Sequence, residues 1–477
     1  MKKILFVSSE VQPLIKTGGL ADVAGSLPIA LAELEQDVRI IIPKYQALKL
    51  DGEVKYRCSL RINNYDINIL ETRLPGTDVI VWLVDCPEFF DVPGNPYTDE
   101  FGSAWANSAA RFSLFCRVAV ETSQNRAHLD WKADIVHCND WQSGLVPALL
   151  TLESHRPSTV FTIHNMAYQG LFSETDYFDL NLPGQLWNPS ALEFHSLLSF
   201  IKGGIACADH ITTVSPNYAL EIQTAEYGYG LEGLLHHRHH ELNGIINGID
   251  IDVWNPETDT RIAQNYGIDS LAKKAGNKAA LQQHFSLPVE PAIPMIGLIG
   301  RLVDQKGIDL VIDCLDSLTN YPIQFVLLGS GEKGFEHRLK NLSYLYPDKV
   351  AVSIGYNEDL AHLIEAGADM FLMPSRFEPC GLNQLYSQRY GTLPIVRKTG
   401  GLADTVVDAL PHNIADKTAS GFVFEEASVG AMLETIKRAI LLYANKRTWQ
   451  QLQKNAMRKD FSWRQSAQQY LDLYNTL

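Results

Sequence analysis

The sequence predicts an α/β protein made of two Rossmann-like, doubly wound domains that face a central cleft. Its 477 residues are too many for one compact core. Short β-branched runs recur along the chain and alternate with longer segments that suit helices. The series starts again after residues 243–259, which are rich in Gly, Asn, Asp and Pro and therefore indicate a junction.

Each apolar run predicts one strand of a parallel sheet, because strands covered on both faces are apolar almost throughout. In the first half these runs are KILFVSS, DVRIIIP, VIVWLVD, ADIVHCND, STVFTIH and HITTVSP. In the second half they are IPMIGLIGRL, IQFVLLGSG, KVAVSIGY, DMFLMPS, LPIVRK and GFVFEE. Two such series predict two doubly wound domains, at residues 1–245 and 246–457. The amphipathic segment 458–477 predicts a helix that packs back onto the first domain.

Composition excludes several classes of protein. No run of eighteen apolar residues predicts a membrane span, and acidic Glu10 follows so closely on ILFV that we expect a first strand rather than a signal peptide. A net charge of −15 without a Lys/Arg cluster argues against nucleic acid or an anionic membrane as partner. The seven cysteines are scattered and show no zinc spacing, which predicts a reducing cytoplasm and no metal site.

The segment KTGGLADV, Lys16 to Val23, follows the first predicted strand. Gly18 and Gly19 would let the backbone approach a ligand closely or adopt positive φ. A helix N-terminus behind them offers N–H groups and a positive dipole to an anion, and Lys16 adds a charge. The alternative is an ordinary strand-to-helix turn with a surface lysine.

Ligands of open α/β sheets bind at the carboxyl ends of the strands, so we expect function in the residues that follow each strand. GRLVDQKG places Arg301 and Lys306 there, a pair of cations that suits a diphosphate, unless the loop is merely solvated. PSRFEPCG places Glu378 and Gly381 at a predicted helix start, where N–H groups suit phosphate. The alternative for Glu378 is a carboxylate that only complements the helix dipole.

Other segments are less specific. HCNDW and TIHN contribute His137, Asp140, Trp141 and His164, although a lone histidine is more often a satisfied polar group than a catalyst. GSGEKG formally matches GxGxxG but follows the second strand of its domain, which disfavours a dinucleotide site. The histidines of residues 236–240 predict a solvated helix face. KTGGLADT, at residues 398–405, almost repeats the opening loop, by a shared turn or by coincidence.

Taken together and in order, these motifs resemble the bacterial glycogen synthase and plant starch synthase family over essentially the whole chain. The resemblance rests on KTGGLADV, HCNDWQSG, TIHNMAYQG, GRLVDQKG, PSRFEPCGLNQLY, the second KTGGLADT and the late FSW. It implies a GT-B glycosyltransferase. Such an enzyme transfers glucose from ADP-glucose to the non-reducing end of an α-1,4-glucan with retained configuration and needs no cofactor.

The resemblance also implies roles for individual residues. The catalytic residues would be His164, Arg301, Lys306 and Glu378, with the His164 carbonyl near the anomeric carbon and the two cations on the diphosphate. The donor site would comprise Lys16, Gly18, Gly19, Asp22, Asn247, Tyr356, Gly381, Leu382 and Asn383. The acceptor glucan would meet Tyr97, Asp140 and Trp141. Tyr356 would stack on adenine.

Two positions depart from related patterns. Many retaining GT-B enzymes carry a second glutamate eight residues after the first, and Tyr386 occupies that position here. Asn139 stands where many relatives have histidine, so its role is open. Two alternatives are a glucan phosphorylase, for which the sequence has no segment resembling a pyridoxal phosphate lysine site, and a non-catalytic glucan-binding homologue, which the charged residues Lys16, Arg301, Lys306 and Glu378 disfavour.

Overall fold

A computed structural model describes residues 1–477 as two α/β units. Unit 1 consists of Met1–Gly248 together with Trp463–Leu477, and unit 2 consists of Ile249–Ser462. No helix has the length and apolar character that a membrane crossing requires.

The strands and helices of unit 1 come from both ends of the chain. Its strands are β1 (Lys3–Val7), β2 (Asp37–Pro43), β3 (Lys55–Ile62), β4 (Tyr65–Arg73), β5 (Ile80–Asp85), β6 (Ile135–Asn139), β7 (Ser158–Ile163), β8 (Leu171–Ser173), β9 (Glu193–Phe194), β10 (Leu197–Ser199), β11 (His210–Thr213) and β12 (Leu242–Gly244). Its helices are α1 (Gly19–Glu33), α2 (Pro87–Phe90), α3 (Ser108–Ser123), α4 (Leu145–Leu150), α5 (Glu174–Asp179), α6 (Phe200–Cys207), α7 (Pro216–Glu221), α8 (Glu232–His237) and, after unit 2, α18 (Trp463–Tyr474).

Nine of these strands form one sheet in the order β12-β11-β7-β6-β1-β2-β5-β4-β3. The seven strands from β12 to β5 in this order pair in parallel, and their residues are mostly buried, as the continuous apolar runs predict. β8, β10 and β9 form a separate small antiparallel sheet.

The edge of the large sheet differs from the purely parallel arrangement that the sequence predicts. β3 and β4 form an antiparallel hairpin, and β4 pairs antiparallel with β5. Both hairpin strands alternate between exposed and less exposed residues, because one face of the hairpin meets water. A two-residue turn with Asn63 at φ +53° joins them, and this signal was available in the sequence.

Unit 2 has one wholly parallel sheet. Its six strands, in the spatial order β15-β14-β13-β16-β17-β18, are β13 (Met295–Leu302), β14 (Gln324–Gly331), β15 (Val350–Ile354), β16 (Met370–Met373), β17 (Leu393–Arg397) and β18 (Phe422–Phe424). Its helices are α9 (Lys274–His284), α10 (Ile308–Leu318), α11 (Lys333–Leu345), α12 (Glu358–Gly367), α13 (Asn383–Arg389), α14 (Gly400–Thr405), α15 (Pro411–Ala415), α16 (Val429–Tyr443) and α17 (Lys446–Met457). The prediction of two doubly wound α/β domains is confirmed.

The C-terminal helix α18 belongs to the core of unit 1. Trp463, Ala467, Tyr470 and Tyr474 are buried among side chains of β1, β2 and α1. The Tyr474 hydroxyl lies 2.6 Å from Nδ1 of His137 on β6. Unit 1 is therefore completed by a segment that follows all of unit 2.

Candidate active site

The strand order of each sheet reverses beside one central strand, and this switch point is where ligands of such sheets bind. In unit 1, β1 lies between β2 and β6, and in unit 2, β13 lies between β14 and β16. The segments singled out in the sequence follow these strands. The opening loop follows β1, HCNDW ends β6, GRLVDQKG ends β13 and PSRFEPCG follows β16. Each unit therefore has several of its predicted residues at its own switch point.

The structure defines the conformation and the surroundings of the opening loop. Gly18 is the N-cap of α1 and has φ −147°, so the loop does not need positive φ there. A methyl group placed on Gly19 would meet no atom within 4 Å, so the loop leaves open space on this side. Lys16 is paired, with its Nζ 2.6 Å from Oδ1 of Asp22, one turn into α1.

Glu10, a residue that the sequence analysis did not identify as part of the site, accepts hydrogen bonds from backbone N–H groups of the opening loop. Its Oε2 accepts from the amides of Thr17 at 2.5 Å and Gly18 at 3.2 Å. Thr17 and Gly18 precede Gly19, the first residue of α1, so this contact fixes the loop, and anion binding by the N–H groups of the helix N-terminus stays a prediction. Glu10 is only 2% exposed, and burial raises the pKa of its carboxyl. No spacing rule links Glu10 to the loop; its only sequence signal is an acidic residue directly after an apolar strand.

Glu10 also joins the opening loop to Tyr97, a predicted acceptor residue. The Tyr97 hydroxyl donates to Oε1 of Glu10 at 3.1 Å and lies 2.9 Å from the Ser9 hydroxyl. Burial is the main cause that raises the pKa of Tyr97 well above its usual value. Tyr97 is therefore a neutral hydrogen-bonding group held beside the loop.

Trp141 lies in an aromatic cluster. Its ring is partly exposed, and its centroid lies 5.0 Å from that of Phe112, 5.8 Å from Phe172 and 6.1 Å from Phe200. Gly170 is close enough that a methyl group there would reach 2.3 Å from the indole. Packing fixes the orientation of the Trp141 ring; its contact with an acceptor stays a prediction.

Asp140 and His164 lie together at the ends of β6 and β7. Oδ1 of Asp140 accepts from the backbone N–H of His164 at 2.7 Å and of Asn165 at 3.4 Å. Burial raises the pKa of Asp140 to about 7, although these hydrogen bonds oppose the shift. Asp140 also has φ +55°, an uncommon backbone conformation for a residue with a side chain. The structure thus shows Asp140 supporting the loop of His164.

Burial also lowers the pKa of both histidines near these strand ends. The pKa of His164 falls to about 3, so its imidazole is neutral at working pH. His137 behaves in the same way, and its two ring nitrogens contact Tyr474 and Thr162 at 2.6 Å each. His137 is therefore a satisfied core residue.

Asn247, near the end of unit 1, is 7% exposed and its Oδ1 has no hydrogen-bond partner.

In unit 2, two of the predicted catalytic residues contact each other directly. Lys306 Nζ lies 2.5 Å from Oε2 of Glu378, and the Ser375 hydroxyl donates to the same oxygen at 2.9 Å. Glu378 is 6% exposed, whereas the Lys306 side chain is about a quarter exposed. The sequence had placed both residues at strand ends but had not paired them.

A missed residue, Arg376, joins the two loops that carry this pair. Its guanidinium makes two 2.7 Å hydrogen bonds to the carboxylate of Asp309, and its backbone N–H donates to Gln305 O at 2.8 Å. Gln305 in turn donates to Phe377 O at 3.1 Å. The loops after β13 and β16 are thus fastened together on both sides of Lys306 and Glu378. Arg376 lies within the PSRF segment, which was its sequence signal.

The remaining predicted residues of unit 2 lie at or after the carboxyl ends of its strands. Arg301 is the penultimate residue of β13 and is exposed. Gly381 and Leu382 precede α13, and the Asn383 side chain donates to Ile299 O of β13 at 2.8 Å. Tyr356 follows β15 and is 81% exposed.

The histidines of residues 236–240, in unit 1, are exposed across the end of α8 and a following 3-10 turn, rather than along one helix face.

Comparison with known families agrees with this division of the chain. Residues 3–237 match the family model described as starch synthase catalytic domain, and residues 281–459 match that of glycosyl transferases group 1. The chain is 55% identical over 472 residues to glycogen synthase 1 of Methylococcus capsulatus, covering 99% of this chain and 96% of that one. It is 51% identical over 480 residues to glycogen synthase of Thioalkalivibrio sulfidiphilus, covering 100% and 99%.

Solved structures give the same result. The catalytic domain of starch synthase IV from Arabidopsis thaliana, solved with ADP and acarbose, superposes with a TM-score of 0.89 at 33% identity, covering 100% of this chain and 99% of that one. Sucrose-phosphate synthase from Thermosynechococcus elongatus, at 16% identity and a TM-score of 0.59, shares the fold. This chain belongs to the glycogen synthase and starch synthase family of glycosyltransferases.

Proposed function

We propose that this protein is a glycogen synthase that transfers glucose from ADP-glucose to the non-reducing end of an α-1,4-glucan, with retention of configuration. Full-length identity to glycogen synthases and the likeness to a starch synthase solved with ADP and acarbose support the choice of donor and acceptor.

The contact between Lys306 and Glu378 carries the proposal. Breaking the bond from the anomeric carbon to phosphate leaves positive charge on the sugar and negative charge on the diphosphate. A cation and a carboxylate held 2.5 Å apart match such a separating pair of charges. We assign Lys306 and Arg301 to the diphosphate and Glu378 to the sugar. The loops are already fastened by Arg376, so little reorganisation is needed.

The other donor roles follow the chemistry of each group. Lys16 places a charge where the diphosphate can approach, Gly19 leaves open space there, and Gly18 keeps the neighbouring backbone free of a side chain. Asp22 positions Lys16 through their ion pair. Asn247 offers its buried, unpartnered carbonyl oxygen to a donor hydroxyl. The donor site also uses the backbone N–H groups of Gly381, Leu382 and Asn383 for phosphate and the exposed ring of Tyr356 for adenine.

The acceptor roles go to aromatic and hydrogen-bonding groups of unit 1. We assign Tyr97, Asp140 and the partly exposed ring of Trp141 to the glucan, and Asp140 also holds the backbone of His164. The main-chain carbonyl of His164 faces the anomeric carbon in this proposal.

For retention we propose attack on the same face that the diphosphate leaves. The acceptor O4–H bond breaks, O4 bonds to the anomeric carbon, and the proton goes to the departing phosphate oxygen. Glu378 is paired with Lys306 and Asp140 with backbone amides, so neither is presented as a free nucleophile.

The seven cysteines are all free thiols, which supports a reducing, cytoplasmic location.

The test is transfer of labelled glucose to glycogen from ADP-glucose and UDP-glucose in parallel, with proton NMR of the product linkage. We expect α-linked incorporation, faster from ADP-glucose. Lys306→Ala should lower turnover about a hundredfold, whereas Lys437→Ala, which removes a surface ion pair with Glu434, should not. Absence of transfer with intact glucan binding would instead support a non-catalytic homologue. Release of glucose 1-phosphate from glycogen by inorganic phosphate would indicate a phosphorylase.

A further inference from the structure

Asn139, the last residue of β6, is fully buried and contacts three segments through one side chain. Its Nδ2 donates to the carbonyl oxygen of Val7 at 3.1 Å and of His137 at 3.4 Å. Its Oδ1 lies 2.9 Å from Nε2 of His164. Asn139 therefore ties the end of β1, the end of β6 and the loop after β7 together.

These contacts fix which nitrogen of His164 carries hydrogen. Main-chain carbonyls only accept hydrogen bonds, so the NH₂ of Asn139 must face Val7 and His137. Its Oδ1 is then an acceptor, and Nε2 of His164 must donate to it. Because burial lowers the pKa of His164 to about 3, the ring has a single hydrogen. Nδ1 is left as a hydrogen-bond acceptor.

Asp140, the residue after Asn139, holds the main chain of His164. Asp140 accepts the His164 N–H at 2.7 Å, so consecutive residues of the β6 end hold its backbone and its ring. Val7 directly precedes Ser8–Glu10, which leads into the opening loop. The Asn139 carboxamide is thus the direct connection between the His164 ring and the strand that carries this loop.

We propose that Asn139 is a positioning residue that holds His164 as the Nε2–H tautomer and so presents an acceptor at Nδ1 to a hydroxyl of the bound sugar. The part that concerns the sugar rests on the proposed function. The tautomer does not, since it follows from the hydrogen-bond partners alone.

The tautomer is tested in the wild-type protein by ¹⁵N NMR of labelled histidine, with His164→Gln used to assign the signal. We expect a protonated Nε2 and an unprotonated Nδ1. A protonated Nδ1 would overturn the proposal, whether or not any variant folds or any activity is found.

The consequence for catalysis is tested with two substitutions. Asn139→Leu keeps the branched shape of the side chain but removes all three of its hydrogen bonds, whereas Asn139→His can donate from one ring nitrogen to Val7 and accept at the other from His164. We expect Asn139→Leu to lower kcat for ADP-glucose about tenfold or more, with ADP affinity by calorimetry within about twofold, and Asn139→His to restore most of the activity.

Asn243→Leu is the matched control. Asn243 makes the same type of contact, its Oδ1 lying 2.6 Å from Nε2 of His210, but at the amino end of β11. It should leave kcat unchanged. Wild-type kcat in folded Asn139→Leu, or equal losses in both leucine variants, would overturn the positioning role. A wild-type protein that transfers no glucose would refute the proposed function but leave the tautomer result standing.

Discussion

Two segments of this protein share the sequence KTGGLAD and have opposite environments. In the first, residues 16–22, Thr17, Gly18 and Gly19 are exposed, and a methyl group on either glycine would come no closer than 3.8 Å to another atom. In the second, residues 398–404, the same three residues are buried. There, a methyl group on Gly400 would come within 2.0 Å of Glu378 O, and one on Gly401 within 2.1 Å of Cys380 O.

The comparison shows that the same glycines serve different purposes. Gly18 has φ −147° and lies in exposed backbone, whereas Gly400 has φ +42° and lets two protein segments touch. The Gly401 N–H donates to the carbonyl oxygens of Glu378 and Pro379, so the second segment supports the loop that carries Glu378. One copy faces the substrate in the proposed function, and the other holds the residue that acts on it.

The largest difference should appear when the first glycine of each copy becomes valine. Gly400→Val forces a β-branched side chain into positive φ and against Glu378 O, so we expect the free energy of unfolding to fall by about 3 kcal/mol or more, with loss of turnover. Gly18→Val should fold normally, because the nearest atom is 3.8 Å away, and should only raise the Michaelis constant for ADP-glucose. Denaturant titrations and kinetics measure both. Equal stability of the two variants would remove the contrast.

A second effect concerns Glu10, which only the first copy has as a partner. Glu10→Ala leaves the N–H groups of Thr17 and Gly18 without their acceptor, and we expect the Michaelis constant for ADP-glucose to rise by roughly thirtyfold, about 2 kcal/mol. Glu10→Gln keeps an oxygen that can accept from both amides and is the matched control, with a change of about threefold or less. If the two variants behave alike, the carboxylate itself matters rather than its role as acceptor.

The two lysines provide a third test. Lys16→Gln should raise the Michaelis constant for ADP-glucose about tenfold, with a smaller change in kcat and little change for glycogen. Lys398 pairs with the exposed Glu425 at 2.8 Å, and Lys398→Gln should alter neither constant. Wild-type kinetics for a folded Lys16→Gln would make the opening loop an ordinary turn.

The smallest effect is expected for Gly19→Ala. The added methyl group meets no atom within 4 Å, so the free energy of unfolding should change by no more than about 0.5 kcal/mol. The Michaelis constant for ADP-glucose should rise only a few-fold, about 1 kcal/mol. Thermal melting measures the change in stability, and steady-state kinetics measure the change in the Michaelis constant. A strongly destabilised Gly19→Ala would show that the open space at this glycine is used by the fold.

The central strands of both sheets could be predicted because buried parallel strands leave continuous apolar runs. The hairpin of β3 and β4 was missed because its strands alternate and carry many charges, such as those of Lys55 and Arg57. An alternating pattern with an Asn63-Asn64 turn predicts a hairpin, but only when the search is not restricted to apolar runs.

Residues at the predicted sites could be found by their motifs, but their partners could not. Lys306 and Glu378 are 72 residues apart in sequence, and only the neighbouring positions of β13 and β16 bring them together. Glu10 has no motif of its own. The repeat of KTGGLAD shows this most clearly. The two segments are identical in sequence, and their environments differ because different parts of the chain pack against them.

The position of α18 has a consequence for the synthesis of the protein. A ribosome completes all of residues 249–462 before it makes the helix that fills the groove beside β1, β2 and α1. Until then, nascent unit 1 exposes the apolar surface that Trp463, Ala467 and Tyr470 later cover. We therefore expect unit 2 to mature on the ribosome while unit 1 waits as a chaperone client, although unit 1 is translated first.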